Sequence, residues 1–252
     1  MAQPLLQGHR ILVTGGARGL GLEFARAIAT QGGRVVLADI LEDVAQAAAL
    51  NLRAQGHDAI ALRLDLADAA SIELCAAKAT EHLGGLDGLV NNGAITNSGG
   101  RTMHQLDADT WDRVMNVNVR GTWLMTRACA AALAASGRGA VVNLASDTPL
   151  WGAPKLLAYV ASKGAIVAMT RSLAREMGSD NTTVNAVAPG LTLVEATAYV
   201  PADRHQLYVG QRALQRDQLP QDVSGTVSFL LSPLARFVTG QLLAVNGGFV
   251  MH

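Results

Sequence analysis

The chain has 252 residues with 20 basic and 20 acidic side chains, so its formal net charge is zero; half of its residues are hydrophobic and only 16% are charged. That balance, without any cluster of Lys and Arg, excludes the electrostatic footprint of a nucleic-acid binder. No run approaches the roughly 18 consecutive apolar residues of a membrane span. Residues 1–10 lack a charged-then-apolar run with a cleavage site, so secretion is not expected. Cys75 and Cys129 lie far apart in Ala-rich helical patterns and read as buried free thiols of a reducing, cytoplasmic compartment. The six histidines show no metal-ligand spacing, and no metal site is expected.

Short apolar runs alternate along the chain with longer amphipathic segments. Strands are predicted at 10–14, 34–39, 59–64, 86–91, 140–145 and 183–188, and helical spacing at 20–31, 42–55, 69–83, 107–135 and 155–177. A helix near 223–231 precedes a last short strand at 242–245. Strand–helix alternation with near-continuous Val, Ile and Leu strands predicts a mostly parallel seven-stranded sheet covered by helices on both faces, a three-layer doubly wound α/β fold. No repeat or linker interrupts it, so residues 1–252 form one expected domain. The longest unpatterned stretch, from Gly190 to about Gln206, has the length of a binding loop, and a substrate loop is expected over about 190–216.

The first strand runs through Thr14-Gly15-Gly16-Ala17-Arg18-Gly19-Leu20-Gly21 directly into a helix. Backbone N–H groups at a helix N-terminus bind phosphates, and glycines let a pyrophosphate approach the backbone closely. The second strand ends at Asp39, whose carboxylate can accept both hydroxyls of an adenosine ribose and would repel a 2′-phosphate, which favours NAD. Arg18 pulls the other way, since a guanidinium in this turn can pair with that phosphate, or with Asp39 itself. Asp65, followed by Leu66 at the end of the third strand, is placed either to meet the adenine amino group or to cap the helix after Ala67.

Tyr159 and Lys163 are four residues apart in a helical segment and share one face. A phenol with an ordinary pKa near 10 becomes a usable general base when a cation stands close by. Ser146 follows the fifth strand, at the carboxyl end where open α/β sheets bind ligands, and can hold a substrate oxygen while Tyr159 exchanges its proton. Asn118, in Asn116-Val-Asn118-Val-Arg-Gly121, can anchor a water that links Lys163 to solvent.

Taken in order, these motifs resemble those of the short-chain dehydrogenase/reductase family, in its small single-domain subgroup, over essentially the whole chain. The family's Thr-Gly-x-x-x-Gly-x-Gly turn falls on 14–21, its Asn-Asn-Ala-Gly segment on Asn91-Asn92-Gly93-Ala94, and its catalytic Asn, Ser, Tyr and Lys on Asn118, Ser146, Tyr159 and Lys163. Its Pro-Gly after strand six falls on Pro189-Gly190, and its Val-x-Gly-Gly on 245–248. Within the family the chain is most similar to NAD-dependent dehydrogenases of cyclic or aryl-substituted secondary alcohols. The resemblance implies a Rossmann-type fold, NAD bound by Gly15, Arg18, Gly19, Leu20, Gly21, Asp39, Asp65, Leu66, Asn92, Tyr159, Lys163, Pro189 and Thr192, a small-molecule substrate, and a homotetramer. Three departures stand out: the small residues of Asn-Asn-Gly93-Ala94 are exchanged, Thr192 and Val194 replace an aliphatic residue and a Thr, and Asn246 replaces an Asp.

Substrate identity is less legible. Ser146, Tyr159, Trp151 and Tyr199, with the loop 193–200 and His104, are the candidates for a pocket suited to an apolar, ring-containing alcohol, although Trp151 and Tyr208 also read as packing residues. Glu195 reads as a solvated carboxylate or as a group that recognises a polar substituent. Two other functions compete: an NADPH-dependent carbonyl reductase of the 3-oxoacyl thioester type, and a nucleotide-sensing protein without turnover.

Overall fold

A computed structural model describes residues 4–251; of the N-terminal reading, residues 1–3 lie outside the described residues, as does His252. Seven strands form one sheet: β1 (Arg10–Thr14), β2 (Arg34–Asp39), β3 (Ala59–Arg63), β4 (Gly88–Asn91), β5 (Ala140–Leu144), β6 (Thr183–Pro189) and β7 (Leu242–Val245). Their spatial order is β3-β2-β1-β4-β5-β6-β7, and every pair is parallel. The expected mostly parallel sheet is thus parallel throughout. Order reverses between β1 and β4, which opens a crevice at their carboxyl ends.

Alternation along the strands divides the core into two layers. Ile11, Val13, Val35, Leu37, Val90 and Val142 face α1 (Gly19–Thr30), α2 (Glu42–Ala54) and the last helix, Gln221–Leu231. Leu12, Val36, Leu89 and Val141 face α3 (Ala69–Leu83) and the helix Thr122–Ala135. The many alanines of these helices let them lie close on the sheet, and both free cysteines are buried in the second layer.

The predicted helix 107–135 is interrupted. It divides into α4 (Ala108–Met115), a π-helical segment at Asn116–Gly121 and α5 (Thr122–Ala135). Asp107 caps α4 by accepting the Thr110 N–H at 2.7 Å. The helix at 155–177 is α7 (Leu157–Glu176), preceded by one turn, α6 (Thr148–Trp151). The loop after β6 is shorter than expected, because α8 (Ala202–Gln211) starts inside it; α9 (Gln221–Leu231) then leads to β7. Only Tyr208 of α8 is buried, so this helix carries no apolar stripe for sequence reading to find.

At the opposite end of the sheet Asp87, with no side-chain exposure, is held by Arg10 and Arg138. It also accepts the Arg10 backbone N–H at 2.9 Å. Burial raises its pKa, but the hydrogen bonds from the two guanidiniums outweigh burial and hold it well below the usual carboxylate range. Asp87→Asn, which leaves two half-buried guanidiniums without their charge partner, is expected to cost about 3 kcal/mol in urea unfolding at pH 7. Because the folded pKa is depressed, this contribution is complete above the unfolded carboxylate value near pH 4 and disappears only as pH falls below it.

Candidate active site

The crevice begins at the glycine turn. Gly15 takes a left-handed φ of +63°, and the β4 loop is clamped onto it: the Asn92 side-chain amide donates to the carbonyls of Thr14 and Gly15, both at 3.0 Å. The Thr14 hydroxyl in return accepts the N–H groups of Asn92 and Gly93 at 3.0 Å. Gly93 lies close to the turn: a Cβ there would come within 2.8 Å of the end of the Leu66 side chain and 3.2 Å of the Gly15 nitrogen, so the exchanged Gly93-Ala94 keeps a small residue at the close approach.

A cleft of about 660 Å³ runs from this turn along the carboxyl ends of the strands. Gly15, Arg18, Gly19, Leu20, Gly21, Asp39, Asp65, Leu66, Asn92, Pro189 and Thr192 line it, and so do Ser146, Tyr159, Lys163 and Tyr199. Every residue expected to touch the cofactor is therefore brought to one surface. Asp39 is fixed by the N–H groups of Ala17 and Leu41, each at 3.0 Å, and each carboxylate oxygen keeps a lone pair for a further donor. Arg18 is exposed and makes no ion pair with Asp39 or any other described residue. Asp65 accepts the Ala67 N–H at 2.9 Å, while the cap of α3 is Asp68. The open glycine backbone at a helix N-terminus, the held carboxylate at the end of β2 and the ammonium of Lys163 are a donor and acceptor set that fits an extended dinucleotide.

At the far end, Tyr159 and Lys163 lie on α7, with the ammonium 5.7 Å from the phenol ring centre. Lys163 is 5% exposed, donates to the Leu144 carbonyl at 2.6 Å, and has no carboxylate partner among the described residues. Burial lowers its pKa to about 8. Burial raises that of Tyr159 above the ordinary phenol value, the Ser146 hydroxyl pulls it down, and Tyr199 and Asp147 push it further up. The Ser146 oxygen accepts from both the N–H and the hydroxyl of Thr148, at 3.2 and 3.0 Å, which fixes it at the head of α6.

Asn118 does not line the cleft. It sits behind it, 1% exposed in the π-helical segment. Its oxygen accepts the Ile95 N–H at 2.7 Å and its amide donates to the Ile95 carbonyl and the Ser162 hydroxyl at 3.0 and 3.1 Å. Both amide hydrogens are thereby used, so any water it anchors must meet a lone pair of its oxygen or its main chain.

A second cavity of about 350 Å³ joins the cleft. Ser146, Tyr159, Thr96, Gly190, Thr197 and Tyr199 line both. Trp151, expected in the substrate wall, lines neither: it makes edge contacts with Tyr208 and Phe249, at 6.1 and 5.5 Å between ring centres, one layer behind. His104 is exposed outside both cavities, and Glu195 reaches the cofactor side, over Gly19, rather than the substrate side. Tyr208, expected near the substrate end, lines this pocket; missed by sequence reading were Asp147, Leu156 and Arg204. Of these, Asp147 had a signal, as a carboxylate directly after Ser146; it is fully buried, accepts the Tyr208 hydroxyl at 3.0 Å, and has its pKa raised by burial to about 7.

Asn246 hydrogen-bonds within its own turn, to Val250 and from Gly248, so its replacement of an acid is structural. A Cβ at Gly21 would fall 2.0 Å from the Gly15 carbonyl oxygen and 2.6 Å from the Asn92 amide. Gly21→Ala is accordingly expected to deform the turn and weaken dinucleotide binding by about tenfold or more in calorimetric titration.

The profile of the family described as enoyl-(acyl carrier protein) reductase matches residues 15–250. Similar proteins include 2-(S)-hydroxypropyl-CoM dehydrogenase 3 of Xanthobacter autotrophicus, 37% identical over 96% of this chain and 97% of that one. Cis-4-hydroxycyclohexanecarboxylate dehydrogenase of Sinomonas cyclohexanicum is 35% identical over 94% and 95%. A solved short chain dehydrogenase of Burkholderia cenocepacia, in complex with NADP, superposes with a TM-score of 0.89 at 33% identity, covering 97% of this chain and 99% of that one. These likenesses span the cleft, α7 and the sheet together, and the chain belongs to the short-chain dehydrogenase/reductase family, a family of oxidoreductases that bind a nicotinamide cofactor.

Proposed function

We propose that this protein is an NAD-dependent dehydrogenase of secondary alcohols, acting on cyclic or aryl-substituted substrates, with Tyr159 as its general base. One observation carries the reading: Ser146 and Tyr159 sit where a dinucleotide-sized cleft meets a smaller, largely apolar pocket. A group that exchanges a proton belongs at that junction, because the cofactor and the alcohol can both reach it.

A bound nicotinamide dinucleotide supplies the hydride acceptor. Gly15, Gly19 and Gly21 would take its phosphates, and Asp39 its adenosine ribose. Lys163 would donate to the nicotinamide ribose, and Pro189 and Thr192 would border the nicotinamide. The Thr192 hydroxyl donates to the Gly190 carbonyl at 3.1 Å and that of Thr197 to the Thr192 carbonyl at 2.6 Å, so both are fixed beside that end. The Ser146 hydroxyl orients the alcohol oxygen, and Tyr159 removes its proton. Lys163, cationic below about pH 8, stabilises the charge that develops on the phenolate. Asn118 holds the Ile95 segment against α7 through Ser162, and its oxygen or main chain would anchor a water that links Lys163 to solvent. Removing the proton acceptor with Tyr159→Phe should lower kcat by about 10²–10⁴-fold, read in NAD reduction with a panel of ring-bearing secondary alcohols.

The rival is an NADPH-dependent carbonyl reductase, for which the acyl carrier protein reductase description and the NADP-bound structural relative speak. Asp39 speaks against it, since its carboxylate meets the place of a 2′-phosphate and Arg18 alone faces it. Asp39→Ser should move the kcat/KM ratio of NAD to NADP by about tenfold or more toward NADP. A preference for NADP in the unaltered enzyme would favour the rival. A third reading, a nucleotide sensor, requires loss of part of the catalytic set, whereas Asn118, Ser146, Tyr159 and Lys163 are all present. The buried free thiols suit a cytoplasmic setting, and exposed Trp123 and Leu157, on α5 and α7, suit a homotetramer built on those helices.

A further inference from the structure

The smaller pocket is apolar along Pro154, Leu156, Leu191 and Val200, but its lining also carries two cations, Lys155 and Arg204. Neither forms a salt bridge or a side-chain hydrogen bond among the described residues. Arg204 is half-buried, its guanidinium 5.4 Å over the ring of Trp151; stacking fixes the flat face and leaves the N–H edge unengaged. Lys155 is held with φ at +60°, a conformation that β-carbon-bearing residues adopt rarely. Its carbonyl accepts the Gly100 N–H at 2.9 Å, which pins the residue to the opposite wall. Backbone strain retained beside a cavity is a mark of function.

The two carboxylates that share the pocket lining, Asp203 and Asp147, form no ion pair with either cation. Asp203 accepts the Arg204 backbone N–H at 2.8 Å. Asp147 is fully buried, accepts the Tyr208 hydroxyl, and has its pKa raised by burial to about 7.

We propose that the pocket selects a secondary alcohol that carries a carboxylate at its far end, with the reacting hydroxyl at Ser146 and Tyr159, an apolar body along Leu156 and Val200, and the carboxylate against Arg204 and Lys155. This deepens the dehydrogenase reading above and rests on it. An arginine edge matches a carboxylate with two parallel N–H donors, and the pocket's volume of about 350 Å³ is in the range of small-ligand sites.

The test compares 3-hydroxycyclohexanecarboxylate with its neutral amide as substrates, and cyclohexanecarboxylate with cyclohexanecarboxamide as unreactive ligands in calorimetry, using the full chain with NAD. The carboxylate is expected to exceed the amide by about tenfold or more in kcat/KM, chiefly through KM, with an advantage that shrinks as salt rises. Arg204→Gln and, independently, Lys155→Gln should each reduce the carboxylate-to-amide ratio several-fold, while Arg204→Lys should restore part of it. Equal turnover of acid and amide, or a ratio unmoved in both glutamine variants, overturns the proposal and leaves the dehydrogenase reading standing. Acid-selective binding that depends on Arg204, with no oxidation of either alcohol, supports the anion site and overturns the dehydrogenase reading instead.

Discussion

The cleft depends on one close approach. Where the strand order reverses, the β1 turn and the β4 loop must meet at backbone distance, and the Asn92 amide locks them there through two carbonyls of the glycine turn. Gly15 and Gly21 leave no room for a side chain in that contact. With the two segments fixed, the helix N-terminus at Gly19, the carboxylate of Asp39 and the ammonium of Lys163 fall along one wall.

Beneath this wall a second network carries the position of α7. Asn91 donates to Thr126 and Asn143, and Asn143 donates to Thr170, each at 2.9 Å and fully buried. The chain of amides and hydroxyls runs from α5 through β4 and β5 to α7. It replaces apolar contact with directional bonds in a dry layer, where misplacement leaves a polar group unpaired. Register between the sheet and the helix that bears Tyr159 and Lys163 is set by this line. Lys163 reinforces it by donating to the carbonyl of Leu144 at the end of β5.

How much could be read from the residues follows from these two networks. The β/α alternation, the glycine turn, Asp39 and the Tyr159–Lys163 spacing are local patterns, and the structure gathers them on one cleft. What escaped is long-range or weakly patterned. The polar run Asn116–Gly121 marks an interruption of the helical segment in the sequence but not its π-helical form, and α8 buries a single side chain. Trp151 was legible as an unusual aromatic but not as the partner of Phe249, close to a hundred residues away. Asp147 and Arg204 become pocket residues only when α8 folds back over the end of β5.

The π-helical segment has a consequence for how this chain can vary. A turn bonded i to i+5 holds one residue more than a regular α-turn, and each residue advances a helix by about 100°. Deleting one residue between Asn116 and Gly121 would let the segment relax into ordinary helix. The same deletion would swing everything after it through more than a quarter turn, carrying Thr126 away from Asn91 and Cys129 out of its layer. Length in this segment is therefore quantised: the surplus residue is the phase offset that keeps Asn118 on the Ile95 side and α5 seated on the sheet at once.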